Sequence, residues 1–326
     1  MRLSPAIIAA AALALSACSG PSPSGWEPAF DASEIGWFLN VWGPAPDDLY
    51  AVGGTPDKGV MMHFDGTDWT AVDLGLNVPL LDWCYGFGPD DITAVGFGGT
   101  VIHWDGQSWT RQATATDQDL WGVWGSSPSS LWAVGGKGRA AGQATLLHYD
   151  GQSWQPVTLP DLVRPNVYAL YKIWGTGADN VYTVGQRGVV LHYDGQAWTE
   201  ELVGASDDLI SLWGTGPDDI VAVGGRARAI VSRWDGTTWH TDSLGELAGL
   251  NGVWTDTPGR AYAVGAVGTL IELDTGTLEY DRTYADTDLD FHSIFSPDGL
   301  HLVAVGGNLL AAAGPYVGIA YEREAQ

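Results

Sequence analysis

The apolar residues of this chain fall into short runs that show no helical periodicity. From about residue 26 onwards, runs such as Leu131 to Val134 are separated by clusters of glycine, proline, serine and aspartate. Short apolar runs bounded by turn-forming residues are typical of β-strands, whereas helices place apolar residues three and four positions apart. The pattern therefore predicts an all-β protein with many tight turns.

The apolar runs belong to a repeated unit. Its clearest copy contains Leu120-Trp-Gly-Val-Trp-Gly125, Leu131-Trp-Ala-Val-Gly135 and His148-Tyr-Asp-Gly-Gln-Ser-Trp154. We take the aromatic residue of the Trp-Gly step as the anchor of each copy. The anchors are Trp42, Tyr85, Trp124, Trp174, Trp213, Trp254 and Phe295. An Ala-Val-Gly element, or a close variant, begins nine residues after every anchor, and this constant offset identifies a repeat architecture.

Each copy supplies four short strands, which we call A to D. Strand A ends at the anchor, strand B carries Ala-Val-Gly, and strands C and D flank an Asp-Gly step such as Asp150-Gly151. Asp-Gly between two apolar runs predicts a hairpin with a type I′ turn. Four antiparallel strands in roughly 40–45 residues are typical of a propeller blade. The sequence therefore predicts one seven-bladed β-propeller over residues 26–326.

The strand that closes the propeller is predicted to come from the N-terminus. Trp26 precedes the first anchor, Trp42, by 16 residues, and Trp69 of the first hairpin precedes the next anchor by the same distance. Residues 26–32 are therefore expected to form strand D of the seventh blade, which removes exposed sheet edges. Residues 316–321 are the alternative candidate for that strand.

The net charge limits the classes of partner. The sequence has 39 acidic and 14 basic residues and a formal net charge of −25. Such a surface repels phosphate groups, so nucleic acid and direct binding to anionic lipid are discounted. Hydrophobic residues make up 45% of the chain, a fraction that excludes a disordered protein.

The N-terminal segment is predicted to direct export. Arg2 precedes an apolar stretch, Pro5 to Leu15, that is too short to span a bilayer as a helix. The stretch ends in Leu-Ser-Ala-Cys18, which resembles the bacterial lipobox. The resemblance implies that residues 1–17 are a signal peptide and that Cys18 becomes the lipidated N-terminus.

The residues after the lipobox lead to an expected location. Residues 18–25 are rich in serine, glycine and proline and are expected to form a flexible lipidated tether. Ser19 after the cysteine resembles the outer-membrane sorting signal of enterobacterial lipoproteins, and the resemblance implies an outer-membrane location. We therefore expect a cell-envelope protein whose membrane contact is the lipid alone.

The repeat is also similar to known propeller repeats. The combination of Trp-Gly, Ala-Val-Gly and Asp-Gly-x-x-Trp resembles the repeats of large bacterial surface lipoproteins. More distantly, it resembles the Asp-box (BNR) units of sialidases and the propellers of photosystem II assembly factors. It departs from the Asp-box because Asp150 and Gly151 are adjacent, and the sequence has no Arg-Ile-Pro element such as sialidases carry. The resemblance implies an architecture and no particular activity.

Three recurrent residue types are explained by the repeat. Cys84 directly precedes its anchor, where other copies carry Val, Ile or Leu, and is a predicted core residue. Acidic pairs such as Asp47-Asp48 recur in A–B loops, where aspartate caps turns. One strand C position carries histidine in four blades, too far apart around the ring to share a metal: His63, His103, His148 and His192. We expect no metal and no cofactor.

Candidate binding residues lie at the start of strand A, just before the anchors. Strand A lines the central channel of a propeller, and the position three before each anchor varies most between copies. Three tryptophans there have no place in the repeat. The candidates are Trp37, Asp82, Trp83, Trp121, Tyr171 and His292. Their alternative role is to fill the channel.

The few basic residues are concentrated on one face. B–C and D–A loops emerge on the same side of a propeller, and the longest repeat is lengthened in both loops. These loops carry a set that we call the basic arc: Lys137, Arg139, Arg187, Arg226 and Arg228. Guanidinium groups pair well with carboxylate and sulfate, so the arc favours an acidic protein segment or an anionic glycan as ligand.

Two functions are compatible with these features. The first is a cell-envelope scaffold that binds an envelope protein or an anionic glycan on the face of the basic arc. The second is a glycosidase or lyase at the channel mouth, with Asp82 and His292 as its ionisable pair. No catalytic sequence motif supports the enzyme, so the scaffold is favoured.

The lipobox interpretation predicts that attachment depends on one thiol. A Cys18→Ala variant should move from the membrane fraction to the soluble fraction or stay unprocessed, because no other side chain forms the thioether link to lipid. Membrane fractionation followed by immunoblotting measures this. An unchanged distribution would contradict the interpretation.

Overall fold

The repeated apolar runs form the blades of a seven-bladed β-propeller. The computed structural model describes residues 25–138 and 142–324. Seven sheets each contain four antiparallel strands, and the innermost strands of successive sheets pack against one another around the ring. The predicted fold class is confirmed.

The strands are numbered β1 to β28 along the chain. The A strands are β2 (Trp37–Ala45), β6 (Leu81–Gly88), β10 (Leu120–Ser127), β14 (Leu170–Gly177), β18 (Leu209–Gly216), β22 (Leu250–Thr257) and β26 (Asp290–Phe295). The B strands are β3 (Asp48–Thr55), β7 (Asp91–Gly96), β11 (Ser130–Gly135), β15 (Asn180–Gly185), β19 (Asp219–Gly224), β23 (Arg260–Gly265) and β27 (His301–Gly307). The C strands are β4 (Lys58–Phe64), β8 (Thr100–Trp104), β12 (Thr145–Tyr149), β16 (Val190–Tyr193), β20 (Ile230–Trp234), β24 (Thr269–Asp274) and β28 (Gly318–Glu324). The D strands are β5 (Trp69–Ala71), β9 (Trp109–Gln112), β13 (Trp154–Pro156), β17 (Trp198–Glu201), β21 (Trp239–Ser243), β25 (Tyr280–Thr283) and β1 (Glu27–Pro28).

Helical structure is confined to two single turns in B–C loops, Phe97–Gly99 and Gln186–Gly188, as far as the described residues go. Within residues 25–138 and 142–324, no helix has the length and apolar character needed to cross a membrane.

The Trp-Gly step is explained by contact between neighbouring blades. The ring of Trp42 lies against Gly86 of the next blade, where a Cβ atom would be 2.9 Å from Trp42 Cη2. Trp174 lies against Gly214 in the same way, at 2.8 Å. A side chain in place of this glycine would clash with the anchor ring of the preceding blade. The glycine therefore allows neighbouring A strands to pack closely around the axis.

The glycine of Ala-Val-Gly is required by a contact within each blade. A Cβ atom on Gly135 would be 1.9 Å from the backbone oxygen of Asp119, and one on Gly224 would be 2.0 Å from that of Asp208. Backbone at the start of strand A cannot move away without breaking the sheet. The motif therefore records the close pairing of strands A and B.

The C–D hairpins differ from the predicted type I′ turn. Phe64 and Trp69 pair across a four-residue loop. In this loop Gly66 has a φ of +88°, whereas Asp65 stays outside the left-handed region. Instead, Asp65 Oδ1 accepts hydrogen bonds from the two N–H groups that follow Gly66, at 2.9 and 3.0 Å. Aspartate is used here as a hydrogen-bond acceptor for the turn.

The predicted closure by an N-terminal strand is confirmed. In the seventh blade β1 pairs with β28, and Glu27 lies opposite Glu322. Because β28 also pairs with β27, residues 316–321 lead into and form part of strand C, and their alternative assignment to strand D was wrong. The chain enters this blade at its C–D end, where Gly25 lies beside the side chain of Arg323.

Trp26 has the same structural role as the hairpin tryptophans of continuous blades. It is 2% exposed, and its Nε1 donates a 3.0 Å hydrogen bond to Thr283 Oγ1 on strand D of the preceding blade. Trp154 Nε1 likewise donates to Gln112 Oε1 on the preceding strand D, at 2.7 Å. The contact between outer strands is therefore retained where the ring closes.

The closing strand is predicted to carry as much stability as a continuous one. Trp26→Ala should lower the free energy of unfolding by about 3–5 kcal/mol, because it removes a buried indole and its hydrogen bond. Trp154→Ala is the matched control and should cost a similar amount. Urea denaturation measures both, and a Trp26 variant as stable as the wild type would show that β1 does not hold the ring closed.

Candidate functional site

Side chains fill the central channel beneath the mouth that the B–C and D–A loops surround. The A strands bring together anchors and residues one and two positions before them, including Asn40, Trp83 and Ser293. A cavity of about 20 Å³ remains among them, enough for one water molecule. The channel is therefore closed to a ligand, and binding chemistry is confined to its mouths.

Lys172 is the residue of this mouth that sequence reasoning missed. It lies two positions before its anchor, where the other copies carry Asn, Trp, Gly or Ser, and this lone charge was the available signal. The side chain is 4% exposed, donates a 3.0 Å hydrogen bond to the backbone oxygen of Trp121, and lies 3.8 Å from the ring centroid of Trp83. Burial lowers the pKa of Lys172 to about 7, against the opposing effect of Asp82.

Asp82 is the buried carboxyl group that interacts with Lys172. It is 8% exposed, and its Oδ2 atom has no hydrogen-bond partner among the described residues. Burial raises the pKa of Asp82 well above its usual range, Lys172 opposes this, and Asp119 adds to it. A buried oxygen without a partner costs free energy that a hydrogen-bond donor could recover.

His292 occupies the same ring of residues but has a structural contact. Its Nδ1 lies 2.6 Å from the backbone oxygen of Leu39 in the next blade, which makes Nδ1 the protonated nitrogen. Burial, with a further contribution from the charge of Lys172, lowers the pKa of His292 to about 3. The imidazole is therefore neutral near pH 7, with Nε2 as an acceptor.

An aromatic stack forms one wall of the mouth. Trp121 stacks on Tyr171, with ring centroids 5.0 Å apart and planes at 24°. Arg226 donates a 2.9 Å hydrogen bond to the Tyr171 hydroxyl and forms an ion pair with Asp208 at 2.7 Å. Burial raises the pKa of Tyr171 to about 12. Tyr171 is 2% exposed, so it supports the wall, and the partly exposed Trp121 forms its surface.

Trp37 is packed away from a potential ligand. Its Nε1 donates a 2.8 Å hydrogen bond to Asn308 Oδ1, and its ring meets Tyr316 edge-on at 4.7 Å. These contacts join the first and seventh blades. Trp83 is partly exposed above Lys172 and remains available at the mouth.

The basic arc is partly neutralised by neighbouring carboxylates. Arg226 is held by Asp208, whereas Arg228 and Glu246 form a 3.1 Å pair whose side chains are 63% and 86% exposed. Such an exposed ion pair contributes little to the free energy of folding, so Arg228 can exchange Glu246 for a carboxylate of a ligand. Arg187 is also exposed, and Lys137 borders the same loops. Arg139 lies outside the described residues, as do Cys18 and the rest of residues 1–24.

The strand C histidines have local contacts. His63 and His103 lie 2.8 and 2.9 Å from Asp48 and Asp91, at the start of the neighbouring strand B. Cys84 is buried, and its Sγ donates to Asn40 Oδ1 at 3.2 Å. Among residues 25–138 and 142–324, no group of three or more His, Cys, Asp or Glu is placed to hold a metal ion.

Comparison with known proteins supports the architecture. No protein-family model matches the chain. The chain is 31% identical over 111 residues to the immune protein Tsi7 of Pseudomonas aeruginosa, and the alignment covers 32% of this chain and 36% of Tsi7. The match therefore spans about a third of that relative.

Solved structures are similar over nearly the whole chain. YCF48 bound to a D1 peptide has a TM-score of 0.66 and 17% identity, and covers 93% of this chain and 97% of its own. YCF48 from Cyanidioschyzon merolae has a TM-score of 0.66 and 12% identity, with coverages of 92% and 99%. The WD40 repeats of RRP9 have a TM-score of 0.72 and 9% identity, with coverages of 94% and 99%. These identities show the fold alone, and they uphold the distant resemblance to assembly-factor propellers.

The buried pair predicts an energetic coupling that can be measured. Asp82→Leu and Lys172→Met should each destabilise the protein, and the double variant should lose less than their sum, by about 1–3 kcal/mol. The exposed pair Arg228→Met and Glu246→Leu is the control, with a coupling of about 0–1 kcal/mol. Urea denaturation of both cycles tests this, and additive losses at Asp82 and Lys172 would show that the two groups do not interact.

Proposed function

We propose that the protein is an exported, lipid-anchored scaffold of the cell envelope that binds a segment of a partner protein. The binding surface is the mouth surrounded by the B–C and D–A loops. The observation that carries this proposal is the buried Lys172 ammonium against the Trp83 ring, together with the buried Asp82 carboxyl, whose Oδ2 lacks a hydrogen-bond partner among the described residues. A propeller fits a binding or assembly role because its rigid blades present loops of several repeats on one face.

The chemistry of the mouth suits a polypeptide. Asp82 Oδ2 can accept a hydrogen bond, and the Trp121 Nε1 hydrogen is likewise buried without a partner among the described residues. A peptide group supplies one donor and one acceptor, and it would reach these two buried atoms after a shift of the side chains that cover them. The partly exposed indoles of Trp83 and Trp121 add flat apolar contact. The solved neighbour with a bound D1 peptide supports a peptide-like ligand for this chain as well.

The charge at the rim favours an acidic segment. Arg187 and Arg228 are exposed beside the mouth and can pair with carboxylates of the partner. Arg226 contributes through position, since it holds Tyr171 and Asp208 in place. An anionic glycan would also satisfy the arginines, and its hydroxyl or acetamido groups could bond to Asp82 and Trp121, so the preference for a protein segment rests on the solved neighbour that holds a peptide.

The enzyme alternative gains no support from the geometry. Glycosidases use two carboxyl groups on either side of a bound sugar. At this mouth Asp82 is buried beside a lysine, and His292 Nδ1 is occupied by the backbone of the next blade. Export and lipid attachment are supported by the lipobox sequence that ends at Cys18.

Capture of an envelope protein tests the proposed surface. The purified protein should retain a partner from detergent-solubilised envelopes, and mass spectrometry should identify it. Arg187→Glu with Arg228→Glu should weaken binding of that partner about tenfold, because two rim attractions become repulsions. Arg111→Glu with Arg282→Glu, on outer D strands, is the charge-matched control and should leave the affinity unchanged. Equal losses in both double variants would exclude this mouth as the binding surface.

A further inference from the structure

The opposite mouth of the channel has a different chemistry, and we propose that it binds a lysine- or arginine-rich segment of a protein. This mouth is surrounded by the A–B loops, with the C–D turns outside them. The proposed site is a second surface and does not depend on the function proposed for the first one.

Aromatic anchors form a basin at this mouth. The centroids of Trp42 and Tyr85 are 5.7 Å apart, and those of Trp174 and Trp213 are 6.1 Å apart, so the rings follow one another around the axis. Phe87 meets Tyr85 edge-on at 5.5 Å and extends the basin outwards. The basin has a volume of about 430 Å³, which is within the range of ligand pockets.

The lining of the basin carries no charge of its own. Its walls are the anchor rings, Phe87, and small residues such as Ser126 and Thr176. Tyr85, Phe87 and Trp213 are partly exposed there. Aromatic rings attract ammonium and guanidinium groups through their quadrupoles, with the best geometry over the ring face. Because no lysine or arginine of the protein lines the basin, a cationic side chain of a ligand can contact the rings directly.

The loops around the basin are acidic. Six of the seven A–B loops contain at least one aspartate, and five C–D turns begin with an Asp-Gly step. The turn aspartates are Asp65, Asp105, Asp150, Asp194 and Asp235. Hydrogen bonds from the turn lower the pKa of each of these carboxyls, which keeps them ionised at neutral pH.

Three arginines on this side are already engaged by the protein, and one of them, Arg323, packs over the Trp26 ring at 5.1 Å. Arg233 Nη1 donates to the backbone oxygens of Thr275 and Gly276. Arg260 lies 3.4 Å from Asp256 and packs over a neighbouring tyrosine ring at 5.4 Å. They therefore offset only a small part of the negative charge of these loops.

Charge complementarity identifies the occupant. Carboxylates on loops all around the ring attract a chain with several positive charges more strongly than a single one. The aromatic basin gives one lysine or arginine of that chain a place on the axis. A bare metal ion fits poorly, since the described residues contain no group of three potential ligands. A neutral apolar segment would leave the acidic loops unused.

Binding of a fluorescein-labelled hexa-arginine peptide to the full protein in detergent tests the proposal. Fluorescence anisotropy should show saturable binding at low salt that weakens at least about tenfold at about 0.5 M salt. A hexaglutamate peptide should not bind. Absence of hexa-arginine binding, or equal binding of both peptides, would overturn the proposal.

Charge-neutral variants locate the site. Asp→Asn at the five turn aspartates keeps the Oδ1 acceptor, so the turns should stay folded, while affinity should fall about tenfold. A control changes five aspartates of the other face in the same way: Asp57, Asp73, Asp117, Asp161 and Asp288. The control should change affinity less than about twofold, because its carboxylates lie away from the basin. Equal effects of both sets would show attraction to net charge alone and would overturn the site.

A matched pair of phenylalanine variants tests the contribution of the aromatic rings to peptide binding. Phe87→Ser at the basin should weaken hexa-arginine binding about threefold, consistent with the modest strength of an exposed cation–π contact. Phe97→Ser on the opposite face should leave it unchanged.

Displacement of the peptide by calcium at equal concentration would identify a metal site and contradict the proposal. None of these variants touches Arg187 or Arg228, so partner capture at the first mouth is a separate measurement.

Discussion

The contact between an aromatic anchor and the glycine of the next blade is the interaction on which this structure depends. Trp42 over Gly86 and Trp174 over Gly214 set how closely neighbouring inner strands approach. The same contact joins Trp124 to Gly175, and the anchors together give the channel a wall of rings at one end. At the other end, residues two or three positions before the anchors do not take part in that contact, and they include Asp82, Lys172 and His292. One packing rule thus produces two chemically different mouths.

The filled channel separates these mouths. The cavity among these side chains holds about one water, so a ligand does not pass from one mouth to the other. Their charges also differ in arrangement. Near the first mouth, cations lie among carboxylates and two of them are paired, as with Arg226 and Asp208. Around the second, carboxylates outnumber arginines that are themselves engaged by the protein.

Much of the fold could be predicted because the repeat records local geometry. The nine-residue offset spans one A–B hairpin, and each motif glycine marks a position where backbone or a ring approaches too closely for a side chain. The displaced Trp26 was also recognisable, since its spacing to Trp42 matches that of a continuous blade. The hairpin type was wrong because the sequence Asp-Gly does not distinguish a left-handed aspartate from one that caps the turn.

The sites were harder to predict because they depend on contacts between blades. Lys172 meets Trp83 and Trp121 across two blade boundaries, and no sequence spacing indicates that approach. Arg226 was expected to face the ligand, but its nearest partners are Tyr171 and Asp208. The residues that line the aromatic basin were recognised in the sequence as anchors. Their periodicity indicated that they pack between blades and did not indicate that some of them are exposed at one mouth of the channel.

The point at which the chain enters the propeller would set its orientation on a membrane if the proposed lipid anchor is attached. Gly25 lies at the C–D end of the seventh blade, which is the side of the acidic loops. If Cys18 carries the lipid, the eight residues from 18 to 25 reach at most about 26–29 Å from the bilayer. The acidic side of the propeller would then face the lipid headgroups across a narrow layer of water, and its repulsion from anionic lipids would keep the two apart. In that orientation the face with the long loops would point away from the membrane and be accessible to partners.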